Sequence, residues 1–163
     1  MRGVTMEKID WKNLSYYDFI GFVAVTAFLL FVLYFGGLWY ATYDYRIQMR
    51  DQMVEMYKQL PNPIPPIEDD YGVHQRWLVF YIDGVKVLNK PQPENVINEY
   101  KKALEKEGWA TEREYEHVRN DKNKIYGINM RKGEFILSVS ARENRDSINI
   151  HLIKRDWIYN KGF

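Results

Sequence analysis

The chain has no cysteine. That removes disulfides, thiolate metal sites, a cysteine nucleophile and a lipidated-cysteine anchor. It leaves the compartment open, because a domain of this size folds on a core alone. Histidine is also scarce: His74, His117 and His151 are far apart, and no HxH, HxxxH or HExxH spacing occurs, so no zinc site is expected. Glycine is thinly spread, and its only adjacent pair, Gly36-Gly37, sits in an apolar run. Neither a Walker loop nor a dinucleotide fingerprint is there to cradle phosphate. Ser15, Ser138, Ser140 and Ser147 lack a nucleophile-elbow context. These absences predict a chain that is not an enzyme and carries no cofactor and no metal.

An excess of one charge is missing as well. The formal net charge is +1. Residues 1–70 hold 6 basic and 9 acidic side chains, and residues 71–163 hold 17 and 13, with the signs interspersed. Nucleic acid calls for a concentrated basic face, so no nucleic-acid partner is expected.

What the chain does have is one long uncharged run. Residues 19–40, FIGFVAVTAFLLFVLYFGGLWY, would span about 33 Å as a helix, against a hydrocarbon core of about 30 Å. Trp11, Tyr16 and Tyr17 precede the run, and Trp39, Tyr40, Tyr43 and Tyr45 close it, as interfacial aromatics do. A cleaved signal would be shorter, start from clear positive charge and end at a small-x-small site. Here Lys8 and Lys12 are mixed with Glu7, Asp10 and Asp18, and bulky aromatics follow. The run therefore predicts a retained single-pass anchor in a lipid bilayer. Lys and Arg near its ends tie, at Arg2, Lys8 and Lys12 against Arg46, Arg50 and Lys58. The amino terminus and the long domain behind a short tail favour a cytoplasmic N-terminus and an extracytoplasmic domain, periplasmic or at the cell surface. Gly37 and Ala41 form a small-xxx-small pair compatible with a homo-oligomer. No ionisable residue lies within the run, which argues against an ion path.

The expected organisation is an N-terminal tail (1–18), a transmembrane helix (19–40), a helical stalk (41–60), a Pro-rich linker (61–70) and a soluble α+β domain (71–163). In the stalk Met49, Met53, Met56 and Leu60 recur at helical spacing. Two heptads are too few for a coiled coil, and methionine suits an adaptable contact. The stripe is expected to pack on a partner subunit, ahead of a homodimer seam or its own domain. The segment Pro61-Asn62-Pro63-Ile64-Pro65-Pro66 ends the helix as a semi-rigid spacer, followed by a solvated Glu68-Asp69-Asp70.

In the domain, residues 76–82 read as a strand and Asp83-Gly84 as a hairpin turn before a second strand at 85–88. Pro93 opens a helix to about Lys106, Gly108 stops it, and Trp109 folds back on its last turn. Strands follow at 110–117, 125–130, 135–141 and 147–153, with a turn at residues 131–134. The last two alternate apolar and polar residues, as an antiparallel sheet with one wet face does. The order β-β-α-β-β-β predicts a two-layer sandwich, a mostly antiparallel sheet crossed by one helix. Glu112, Glu114 and Glu116 alternate on one strand, as a calcium ladder or as charge that blunts an exposed strand. Trp77, Val79 and Tyr81 fall on the face opposite Leu78, Phe80 and Ile82. They need a cover, either the C-terminal tail with Trp157, Ile158, Tyr159 and Phe163 or another chain.

The partner-facing candidates are thus Met49, Met53, Met56, Leu60, Trp77 and Tyr81. They predict a non-catalytic accessory or assembly subunit of a larger membrane complex, partnered by other membrane-protein subunits. The alternative is a membrane-tethered binding module for a cell-envelope ligand.

Overall fold

The computed structural model describes residues 16–76, 79–118 and 123–155, in two units that divide between Asp44 and Tyr45. The first unit holds α1 (Tyr16–Ala41), apolar all round, with none of its side chains buried within the chain. Its 26 residues are long and apolar enough to cross a membrane. Beyond its last turn, the Thr42 hydroxyl donates to the Leu38 carbonyl at 2.8 Å.

The second unit takes in most of α2 (Tyr43–Lys58), then β1 (Glu68–Arg76), β2 (Val79–Val87), α3 (Pro93–Lys106), β3 (Ala110–Val118), β4 (Lys124–Lys132), β5 (Phe135–Arg142) and β6 (Ser147–Lys154). The strands form one six-stranded sheet in the order β1-β2-β6-β5-β4-β3, with every neighbouring pair antiparallel. Alternation decides which face turns inward. Ile82, Ile128, Met130, Leu137, Val139, Ile148, Ile150 and Leu152 are all fully buried on one face. Each such side chain contributes about 1.5–3 kcal/mol when taken out of water.

Helix α3 supplies Val96, Ile97, Tyr100 and Leu104 to that core. Its ends match their residues: Pro93 stands in the first turn, where no amide partner is needed. Gly108 takes φ +84°, letting Gly108 N–H reach the Glu105 carbonyl and Trp109 N–H the Leu104 carbonyl, each at 3.0 Å. Trp109 is buried there. The turn between β4 and β5 falls where expected, at Gly133-Glu134.

Three expectations are corrected. The methionine stripe does not await a partner: Met49, Met53 and Leu60 are buried in the domain's own core with Tyr57, and Met56 packs partly against it. α2 is therefore a second helix on the same sheet face as α3, not a free stalk. The Pro-rich segment is likewise tied down. Ile64 packs on the core, and Ile67 N–H donates to the Val87 carbonyl at 2.8 Å.

The third correction concerns the hairpin. Asp83-Gly84 is not a turn but the middle of β2, with Gly72 opposite Asp83 and Tyr71 opposite Gly84. The strands pair as far as Arg76 with Val79. Gly84 is explained by packing, since a Cβ there would lie 2.1 Å from the Tyr57 hydroxyl. The glycine admits a tyrosine from α2, a close approach that mimics a turn signal in the sequence.

Candidate functional site

Two groups of polar side chains lie on opposite faces of the sheet. The first is in the core, under α2. Lys86 is 1% exposed and stands across the β1–β2 ladder from Asp69. Its ammonium reaches Asp69 Oδ2 at 3.1 Å, donates to the Asn62 side-chain oxygen, and lies 5.4 Å from the centre of the Tyr57 ring. Tyr57 donates its hydroxyl to Asp69 Oδ1 at 3.0 Å and packs on Tyr71, with ring centroids 4.8 Å apart. Burial, then the hydrogen bond to Asp69 and its charge, holds the Tyr57 phenol well above its ordinary pKa. Burial, with a smaller push from Asp69, does the same to Tyr100, whose hydroxyl has no hydrogen-bond partner among the described residues. Lys86, Asp69, Tyr57 and Asn62 satisfy one another. Their arrangement ties α2 and the proline-rich segment to the sheet.

The second group is on the face that neither helix covers. Tyr81 stacks on His74, with centroids 5.1 Å apart and planes 19° apart, and its other neighbour is His151 at 5.6 Å. Asp83 binds both imidazoles. His151 Nδ1–H donates to Asp83 Oδ1 at 2.7 Å, and His74 Nε2 lies 3.7 Å from Oδ2. The ladder continues this face through Asn149 opposite Val85, Ser138 opposite His151, Ser140 opposite Asn149 and Asn129 opposite Ser138. Ile136 and Ile153, opposite each other, lie on the same face. At the turn end of β5 and β6 lies a hollow of about 310 Å³ that includes Arg142 and Arg145 in its lining.

The glutamate ladder is discharged residue by residue. A bulge between Thr111 and Arg113 breaks its register. Glu112 then lies 3.6 Å from Arg131, while Glu114 meets Lys101 at 2.6 Å and Glu116 meets Lys124 at 2.7 Å. The hydrogen bonds to Glu114 and Glu116 raise the pKa of Lys101 and Lys124. β3 is an edge strand carrying charge, and no three of these carboxylates converge.

Of the six candidates from the sequence, Met49, Met53 and Leu60 serve the core, Met56 lies at its margin, and Tyr81 sits at the centre of the open-face cluster. Trp77 lies outside the described residues, as does the tail from residue 156. The sequence reading missed the convergence of His74 and His151. The correct register would have revealed it, because it places His74 opposite Tyr81 and Asp83 opposite His151. No protein-family model matches the chain, and comparison with curated proteins finds no match.

Proposed function

We propose that the chain is a non-catalytic, membrane-tethered binding module whose contact surface is the uncovered face of the sheet. One observation carries this reading: α2 and α3 both lie on one face, and among the described residues no helix covers the other, which carries Tyr81, His74, His151, Ser138 and Asn149. Strands hold such side chains more rigidly than loops do. A tyrosine clamped between two imidazoles has little conformational entropy left to lose on contact. The groups that chemistry would otherwise draw on, buried Lys86 and Tyr57 and the partly exposed Asp69, are spent on one another.

Under this proposal α1 spans the bilayer, the N-terminus is cytoplasmic and the domain faces outward to an envelope ligand. Photo-crosslinking residues placed at Tyr81 and Ser138 in cells should give defined adducts. The same residue at Lys102, on the outer side of α3, should give none. Equal adducts at all three positions, or none at Tyr81 and Ser138, would overturn the reading. A second reading, an accessory subunit of a larger membrane assembly or a homo-oligomer, is favoured by α1 having no buried side chain within the described residues. It expects adducts to another protein from within α1 instead.

A further inference from the structure

The hollow at the turn end of the open face contrasts with another, of about 260 Å³, beside α3 and β3. The latter is lined by Glu94, Glu114 and Glu116, with no lysine or arginine among the described residues of its wall. The former is lined by Ile125, Ser140, Arg142, Arg145, Ser147 and Asn149 among others, with no acid among the described residues of its wall. The two acids of the same turn, Glu143 and Asp146, are not in its wall, and Glu143 accepts the Lys124 backbone N–H at 2.9 Å.

The backbone explains the grouping. Ser140 and Asn149 stand opposite each other on β5 and β6, so the hydroxyl and the amide project side by side. Arg142 stands across from Ile125 on β4. Asn144 takes φ 61° in the turn, and Arg145 N–H returns to the Arg142 carbonyl at 3.3 Å, which brings the second arginine back towards the first. The side chains of Ser140, Arg145, Ser147 and Asn149 have no hydrogen-bond or ion-pair partner among the described residues.

We infer that this hollow binds a phosphate group, a proposal that rests on the open face being the contact surface. The Arg145 guanidinium, exposed at the turn, supplies positive charge and forked donors that fit the oxygens of a phosphate. Two hydroxyls and an amide, arriving from two strands beside the turn that carries Arg145, suit a tetrahedral group with several oxygens. A planar carboxylate would leave some of those donors unmet. Small-molecule sites begin at about 300 Å³, so the space holds a phosphate and a small attached group. The phosphate is either free or borne on a larger molecule such as a lipid headgroup, and the chemistry is the same.

The test is calorimetric titration of the full chain in a neutral sugar detergent with inorganic phosphate, glycerol phosphate and acetate. Saturable binding of at least one phosphate compound, tenfold or more tighter than acetate, is expected. Tighter binding of glycerol phosphate identifies an ester ligand, and tighter binding of inorganic phosphate identifies the free ion. Arg145→Gln, at an exposed position that should not disturb folding, should weaken binding at least tenfold with an unchanged melting temperature. No saturable phosphate binding, equal affinity for acetate, or an Arg145→Gln variant that binds as well as the parent would each overturn the inference. Crosslinks at Tyr81 and Ser138 do not depend on this hollow, so its failure is distinguishable from failure of the contact surface as a whole.

Discussion

Helices α2 and α3 lie on one sheet face but hold to it by different means. α3 is seated by Val96, Ile97 and Leu104, and the backbone bonds around Gly108 finish it. α2 brings Met49 and Met53, which are flexible and fill space without dictating a position. Position comes instead from Tyr57, whose hydroxyl is fixed by Asp69 and whose ring fills the gap left at Gly84. The first attachment is apolar and forgiving. The second depends on a buried cation, a carboxylate and a phenol being present together.

The largest break in that comparison should come from Asp69→Ala. Removing one partner of a buried ion pair typically costs 3–5 kcal/mol; the partial exposure of Asp69 places the expected loss at about 3 kcal/mol. Lys86→Met, which removes the buried cation, keeps the volume and leaves behind a carboxylate that water can reach, should cost less than Asp69→Ala. Chemical denaturation measures both. Hydrogen exchange localises the effect, with α2 amides losing protection while α3 amides keep theirs. Equal loss in both helices would mean that the two attachments are one.

A smaller effect is expected from Gly84→Ala, which forces the Tyr57 ring aside and should cost about 2 kcal/mol, as overpacking does. In a double-mutant cycle Gly84→Ala and Tyr57→Leu should be strongly non-additive, because the leucine vacates the space that the methyl group needs. Simple additivity would place the strain elsewhere.

The smallest effect near neutrality is that of pH. Tyr57 and Tyr100 have folded-state pKa values above the ordinary phenol value of about 10. The native state therefore holds its phenolic protons longer than the unfolded chain does. This contribution is fully present below about pH 10 and is lost as pH rises further. Melting temperature should show no step from these groups between pH 7 and 9, then fall, with α2 losing protection before α3. Tyr57→Phe should reduce the alkaline fall. An unchanged alkaline limb in that variant would remove Tyr57 from the account.

Much of the domain is legible in the sequence for physical reasons that the same comparison exposes. α3 advertises itself by a regular apolar face between Pro93 and Gly108, and β5 and β6 by strict alternation. α2 does not, because its core-facing residues are methionine and tyrosine, and an apolar run and a proline cluster flank it. Those neighbours suggest a stalk. The burial of Lys86 is unreadable locally, since its partners lie 17 and 24 residues away, at Asp69 and Asn62. The open-face cluster was hidden by a single two-residue signal: reading Asp83-Gly84 as a turn moves His74 away from Tyr81 and leaves His151 without Asp83. The alternating glutamates were legible as edge-strand charge, while their separate lysine and arginine partners were not.

The place of β6 has a consequence for how the protein is made. Among the described residues it is the last strand in sequence, yet it sits between β2 and β5 and joins the β1–β2 pair to the β3–β4–β5 meander. As the ribosome delivers the chain, α1 emerges long before residue 147, and the two partial sheets wait with their inner edges unpaired. Until β6 arrives, Ile82 and Val139 have no strand between them to close the layer. In a chain stalled short of Ser147, β2 and β5 would therefore each lack the neighbour that joins them in the finished sheet.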